Sequence, residues 1–235
     1  MIKILAVGNS FSLDATAFIE PMCDEIFVRN LYIGGCSLET HCRMADTGER
    51  GYVYQQNGET VKPISLEEAL TAEAWDFVTV QQVSGLSGVE ESYYPDLTKL
   101  LAYIRKFTSA EIVLHETWAY ETGSDHPDFA RYGNDKKEMH RKIKETYAQI
   151  SRREKLKTIL TGDLIEKLRG YDFYNVNKGG ISLCRDGYHL SFYYGRMAAA
   201  ALWIKFFTGK APSFFERGDL SEGYALIQKC LGEME

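Results

Sequence analysis

Residues 2–12 read IKILAVGNSFS, and this stretch decides the architecture. The run IKILAV is apolar at every position but one, which suits a short strand buried on both faces. Gly8 ends it, and Asn9, Ser10 and Ser12 lead into residues 14–23, read as a helix. A strand that stops at Gly-x-Ser and turns into a helix places a hydroxyl at the carboxyl edge of a sheet. Backbone N–H groups at the start of that helix can hold a developing oxyanion. The plain alternative is that Ser10 or Ser12 caps the helix and does nothing more.

Working outward, short β-like runs recur at 25–33 (EIFVRNLYI), 76–82 (DFVTVQQ), 111–116 (EIVLHE) and 157–161 (KTILT). Between them, 65–73, 96–107, 136–152 and 191–207 carry apolar residues at helical spacing. Strands spaced by helices indicate an α/β fold, with a mainly parallel five-stranded sheet and helices on both faces. Right-handed crossovers then bring every strand's carboxyl end to one edge, where ligands bind in such sheets. Residues 47–63 read as a β-hairpin around Asn57-Gly58, expected to lie over the sheet edge. Residues 119–135 are polar and turn-rich, and read as a long functional loop or lid. No internal repeat, low-complexity tract or linker interrupts the chain, so 1–235 is expected to be one domain.

Composition narrows the function. The 235 residues are 45% hydrophobic and 26% charged, ordinary for a globular chain able to bury a sizeable core. The net charge of -6 leaves no basic stripe for phosphates, so nucleic acid is not an expected partner. The Arg and Lys cluster at 141–157 reads as the wet face of a helix. The five cysteines (Cys23, Cys36, Cys42, Cys184 and Cys230) form no CxxC pair and suit free thiols in a reducing compartment. The first apolar run is too short for a signal peptide and lacks a small-residue cleavage site. No run approaches the ~20 residues that span a bilayer. A cytoplasmic protein without a membrane partner is therefore expected. His41, His115, His126 and His140 lack ligand spacing, so no metal is expected. Without a GxGxxG or GxxxxGK[ST] run, nucleotide binding is set aside.

Near the far end stands CRDGYHLS, residues 184–191. An Asp three positions before a His on a turn allows both side chains to project the same way. The carboxylate of Asp186 can then orient the imidazole of His189 and stabilise its protonated form. Serine early, then Asp, then His is an ordered nucleophile–acid–base set.

These segments resemble the SGNH/GDSL-type hydrolase superfamily of esterases and lipases, and the fit covers essentially the whole chain. Gly8-Asn9-Ser10-Phe11 matches its first block, with Asn9 where Asp is commoner, and Asp186-x-x-His189 matches its last. The wording GNSFS, GGCSLE, QQVS, TWAY and RDGYHLS looks most like a branch common in gut bacteria, whose members are usually just called hydrolases. The resemblance implies a flavodoxin-like three-layer α/β/α sandwich and catalysis without a cofactor. It implies Ser10 as nucleophile, His189 as base and Asp186 as its orienting acid. Within Ile33-Gly34-Gly35-Cys36-Ser37-Leu38 it implies a glycine N–H in the oxyanion hole beside the Ser10 N–H: Gly35, with Gly34 the alternate. The superfamily's third block supplies an Asn donor; here Val80-Gln81-Gln82-Val83-Ser84-Gly85 has none. A Gln amide can donate as Asn does. Gln82 is assigned that part, with Gln81 the alternate because strand alternation sends neighbours to opposite faces.

The expected reaction is removal of a small acyl group, acetyl first, from a small-molecule or glycan ester. The sugar preference comes from resemblance to acetylesterases. Trp118 and Tyr120 follow the fourth strand at the same edge, where they would stack on a sugar, wall an acyl pocket, or pack in the core. His126 and Tyr132 lie in the presumed lid within reach of substrate. Arg185 is either a surface charge or a helper for an anionic substrate. The competing function is a degenerate module of the same fold that binds acylated glycans without turnover.

Overall fold

The computed structural model describes residues 1–212 and 221–234. In chain order the elements are β1 (Ile2–Gly8), α1 (Ser10–Thr16), α2 (Ile19–Met22), β2 (Ile26–Tyr32), α3 (Leu38–Thr47), β3 (Tyr52–Gln56), β4 (Glu59–Ile64), α4 (Leu66–Thr71) and β5 (Phe77–Val80). There follow α5 (Asp96–Phe107), β6 (Glu111–His115), α6 (Lys136–Glu154), β7 (Lys157–Ile159), α7 (Thr161–Arg169), α8 (Tyr194–Thr208) and α9 (Ser221–Gly232). Ile4, Leu5, Ala6 and Val7 of β1 are all buried, as a strand covered on both faces requires.

The sheet order is β4-β3-β2-β1-β5-β6-β7. The five strands from β2 to β7 in that order are parallel, as the alternation of strands and helices predicts. The sheet as a whole has seven strands, which corrects the expected five. The hairpin does not lie over the edge but extends the sheet: β3 pairs antiparallel with β2, and β4 with β3. The outer edge of β2 would otherwise present unpaired N–H and C=O groups. Asn30 Nδ2 donates to Gln55 Oε1 at 2.8 Å and locks the pairing. The turn has positive φ at both Asn57 (51°) and Gly58 (80°), as a two-residue hairpin connection demands.

Helices α3, α4 and α5 pack on one another, and α1, α2, α7, α8 and α9 form a second packed group. The chain runs from β1 to its neighbour β2, then crosses to β5 on the other side of β1. The carboxyl end of β1 is thus the switch point where a crevice opens in such sheets. The expected helix at 14–23 instead starts at Ser10 and breaks into α1 and α2. Asn9 brings the start forward, because its side chain accepts from the Phe11 N–H and caps the helix. Gly8 allows this close turn: a Cβ there would lie 2.4 Å from Ser12 Oγ.

Three buried titratable groups make stability depend on pH. Burial pushes His41 down to about 4 and His115 down to about 3. Burial, with the Asp163 charge beside it, pushes Glu116 up to about 8. Both histidines are neutral in the fold, whereas an unfolded chain protonates them below about pH 6.5. From about pH 4 to 6.5 the unfolded chain therefore binds more protons through them, and stability rises with pH. Glu116 works in the opposite sense, since the fold keeps its proton from about pH 4.5 to 8 and stability falls as pH rises. Two histidines outweigh one glutamate below pH 6.5, and the glutamate acts alone above it. Stability is expected to peak near pH 6.5 and to fall by up to roughly 1.4 kcal/mol per pH unit on either side. Urea midpoints at pH 5, 6.5 and 8 check this; a midpoint rising steadily through pH 8 would contradict it.

Candidate active site

Ser10 is the first residue of α1, directly beyond the carboxyl end of β1. Its hydroxyl oxygen lies 2.8 Å from His189 Nε2, and His189 Nδ1 lies 2.7 Å from Asp186 Oδ2. Asp186 fixes the tautomer: a carboxylate accepts from Nδ1–H, which leaves Nε2 free to accept from the Ser10 hydroxyl. The carboxylate also closes its own turn, since Oδ1 accepts from the Tyr188 and His189 N–H groups at 3.2 and 2.7 Å. Burial raises the Asp186 carboxyl, but these hydrogen bonds from His189 and Tyr188 outweigh it and hold the group below the usual carboxylate range.

Ser10 was expected beside an Asp186–His189 pair that lies far along the chain, 179 positions away at His189, and the fold joins the three in one hydrogen-bonded line. Ser10 and His189 border a cavity of about 260 Å³ whose other walls are Asn9, Phe11, Tyr32, Gly34, Gly35, Val83, Ser84, His126 and Tyr188. Gly35 takes φ 62° in the turn closed by Cys36 N–H to Ile33 O, a conformation that suits glycine, and a Cβ there would meet nothing within 4 Å. The N–H groups of Ser10, Gly35 and Ser84 donate to no protein acceptor among the described hydrogen bonds.

Gln82 is a correction. Its Nε2 donates to Ser92 O and Ser92 Oγ at 2.9 and 3.1 Å, and its Oε1 accepts from Leu38 N and Val83 N. Both ends of the amide are occupied, and Gln82 is absent from the cavity wall. Gln81 is equally committed: Nε2 donates to Asn9 Oδ1, and Oε1 accepts from His115 Nδ1. Gln82→Ala would orphan the Leu38 and Val83 N–H groups, so it is expected to cost about 1–3 kcal/mol of stability. Turnover of p-nitrophenyl acetate by the folded fraction should stay within a few-fold. A loss of 10²-fold or more without a change in the urea midpoint would reinstate Gln82 as an oxyanion donor.

Other expected contacts divide. His126 does line the cavity, with its Nδ1 accepting from Asp128 N at 3.2 Å. Trp118 and Tyr120 do not; both are fully buried. Trp118 stacks on Phe11 at 4.2 Å and donates from Nε1 to Tyr188 O, so it supports the floor and the loop that carries His189. Tyr120 meets Ser84 Oγ through its hydroxyl and packs against His126. Tyr132 spans Gly85 O and Gly88 N and holds the loop after β5. Arg185, partly exposed and outside the cavity wall, grips the buried Asp14.

Sequence reasoning missed Asn9, Tyr32, Ser84 and Tyr188 as wall residues. Asn9 carried a signal, as a capping residue before a helix. Its Oδ1 accepts from Phe11 N and Gln81 Nε2, and its Nδ2 donates to Cys36 O at 3.0 Å. That last bond needs an amide where the superfamily resemblance leads one to expect a carboxylate. It ties the Gly34-Gly35 turn to the serine. Among the described residues, no group of three or more His, Cys, Asp or Glu could hold a metal ion, and no helix is long and apolar enough to cross a membrane. All five cysteines are free, with burial pushing Cys36 and Cys184 up to about 12.

Residues 3–213 match the family described as DUF4886, a domain of unknown function. A DUF4886 family protein from Bacteroides uniformis is 30% identical, with a TM-score of 0.86 over 99% of this chain and 93% of that one. A candidate SGNH hydrolase from Slackia heliotrinireducens is 22% identical, with a TM-score of 0.59 over 87% and 97% of the two chains. A catalytic mutant of an acetylxylan esterase from Geobacillus stearothermophilus is 15% identical, with a TM-score of 0.53 over 87% and 93%. The last two likenesses are of fold, and they agree with the SGNH hydrolase architecture. None of the curated proteins matches the chain.

Proposed function

The chain belongs to the DUF4886 family, and we propose that it is a serine esterase that removes a small acyl group, acetyl first, from a carbohydrate or related metabolite. The observation that carries this reading is the unbroken Ser10–His189–Asp186 line opening into a cavity of about 260 Å³. That volume lies below the ~300–1,000 Å³ of sites for drug-sized ligands, which favours a short acyl chain. The acetylxylan esterases among the proteins of similar fold support acetyl and a sugar alcohol.

In the reaction, His189 Nε2 takes the Ser10 proton as the oxygen attacks the ester carbonyl. Asp186 stabilises the imidazolium that forms. The Ser10 and Gly35 N–H groups, with the Ser84 N–H on the same wall, hold the oxyanion. The tetrahedral intermediate collapses, and His189 returns the proton to the departing alcohol. Water enters, gives one proton to His189 and attacks the acyl-enzyme; on collapse His189 returns that proton to the Ser10 oxygen, and the carboxylic acid leaves and ionises in solution. His126 and Tyr188, at the cavity wall, are the side chains placed to meet the alcohol.

One observation favours the competing reading of a binding module: the Gln82 amide, the side-chain oxyanion donor expected from sequence, is committed to Ser92 instead. Acetate release from a panel of acetylated sugars, beside p-nitrophenyl esters of two to eight carbons, tests the proposal. The expected result is acetate release from at least one sugar, and kcat/KM that falls with acyl length. Labelling by a fluorophosphonate without turnover of any ester would reject the esterase. No labelling at all would support the binding module.

A further inference from the structure

We propose that Asp14 is the positioning residue that sets the distance between Ser10 and His189; this deepens the esterase reading and rests on it. Asp14 lies on α1 one turn beyond Ser10, so the two share a helix face. Its side chain is wholly buried. Oδ2 accepts from the Leu190 N–H at 2.8 Å, and Leu190 is the residue after His189. Arg185 Nη1 reaches both carboxylate oxygens, at 3.0 and 2.9 Å, and also donates to Leu190 O. Arg196, on α8, donates from Nε to Oδ1 at 2.8 Å.

The consequence is a short mechanical path. Ser10 is fixed to Asp14 by one helical turn, Asp14 to Leu190 by a charge-assisted hydrogen bond, and Leu190 to His189 by the chain. Arg185 closes the loop on the other side, since its own N–H donates to His189 O at 2.8 Å. The segment 185–190 is thus clamped to the helix that carries the nucleophile, and Asp14, Arg185, Leu190 and Arg196 all lie outside the cavity wall. The Phe192 ring lies beside both guanidiniums, at 5.0 and 4.7 Å. Hydrogen bonds to a buried carboxylate are stronger than the same bonds in water, which stiffens the strut. A displacement of about 1 Å between nucleophile and base costs on the order of 10²-fold in rate.

Two substitutions separate position from charge. Asp14→Asn keeps the size but turns an N–H donor towards an arginine. Asp14→Glu keeps the charge but adds a methylene to the strut. Both are expected to lower kcat on p-nitrophenyl acetate by roughly 10–100-fold, with KM within about threefold. In a His189→Ala background Asp14→Asn should cause no further loss, because the residue it positions is gone. The same proportional loss in that background would overturn the proposal, as would wild-type kcat in a folded Asp14→Glu. Crystal structures of the wild type and Asp14→Asn read the geometry apart from any activity. The Ser10 Oγ–His189 Nε2 separation should lengthen beyond hydrogen-bond reach in the variant, and an unchanged 2.8 Å would sink the idea. A wild type that neither labels with fluorophosphonate nor turns over defeats the esterase reading, while the crystallographic comparison still decides the strut.

Discussion

Ser10→Ala should lower kcat/KM on p-nitrophenyl acetate by roughly 10⁴–10⁶-fold and abolish fluorophosphonate labelling, while leaving the urea midpoint unchanged. The magnitude follows from the proposed role of the hydroxyl: in an esterase reaction through Ser10, no acyl-enzyme forms without it, and the residual rate comes from binding and the oxyanion donors. The unchanged midpoint follows from what the hydroxyl does not do. Asn9 caps α1, so Ser10 is relieved of that duty. Ser12 Oγ is spent on Asn9 O and Asn30 Oδ1, at 2.8 and 2.7 Å. Ser10 Oγ has His189 as its described partner and faces the cavity. His189→Ala should match Ser10→Ala to within about tenfold, since residues that act as one unit fail together. Turnover and labelling that persist in Ser10→Ala would move the nucleophile elsewhere.

The parts of this protein that sequence made legible are those written in local pattern. The apolar run of β1 and the Gly-x-Ser turn told of a buried strand delivering a hydroxyl to the sheet edge. The Asp186-x-x-His189 spacing told of a carboxylate and an imidazole on one turn. Asn57-Gly58 disclosed its hairpin, but that β3 would join β2 depends on Asn30 meeting Gln55, a contact with no trace in either segment. Gln82 shows the same limit. Gln82 is the donor expected from sequence and Gln81 its alternate, yet neither lines the cavity, because Ser92, Leu38, Asn9 and His115 claim their amides first. Trp118 and Tyr120 stand at the predicted edge, yet which way a side chain turns there is a matter of its packing partners. Phe11 and Ser84, from distant segments, decide it.

Arg169→Met should cost about 3–5 kcal/mol of stability, although Arg169 lies outside the cavity beside Ser10. In sequence it is one of two cations in the last turn of α7, where a helix C-terminus welcomes positive charge. In the fold it is almost wholly buried. Nε donates to Glu121 Oε2 at 3.1 Å, Nη1 to Ala119 O at 2.9 Å, and Nη2 to Cys184 Sγ at 3.2 Å. The guanidinium thereby joins the loop after β6 to the segment that leads into Asp186, and Glu121 N–H adds a bond to Gly187 O at 2.7 Å. Methionine fills the volume but leaves the Glu121 charge buried without its partner, and that residual charge is the main cost. Arg169→Met combined with Glu121→Leu should therefore recover part of the loss. Recovery stays partial because the Ala119 carbonyl remains unpaired, at about 1–3 kcal/mol. Arg141→Met is the control: Arg141 binds Glu138 and Glu145 on the open face of α6, and its loss should leave the urea midpoint where it was. If the double variant were no more stable than Arg169→Met, the uncompensated charge would not be the cause, and the lost bonds to Ala119 and Cys184 would have to carry the whole effect.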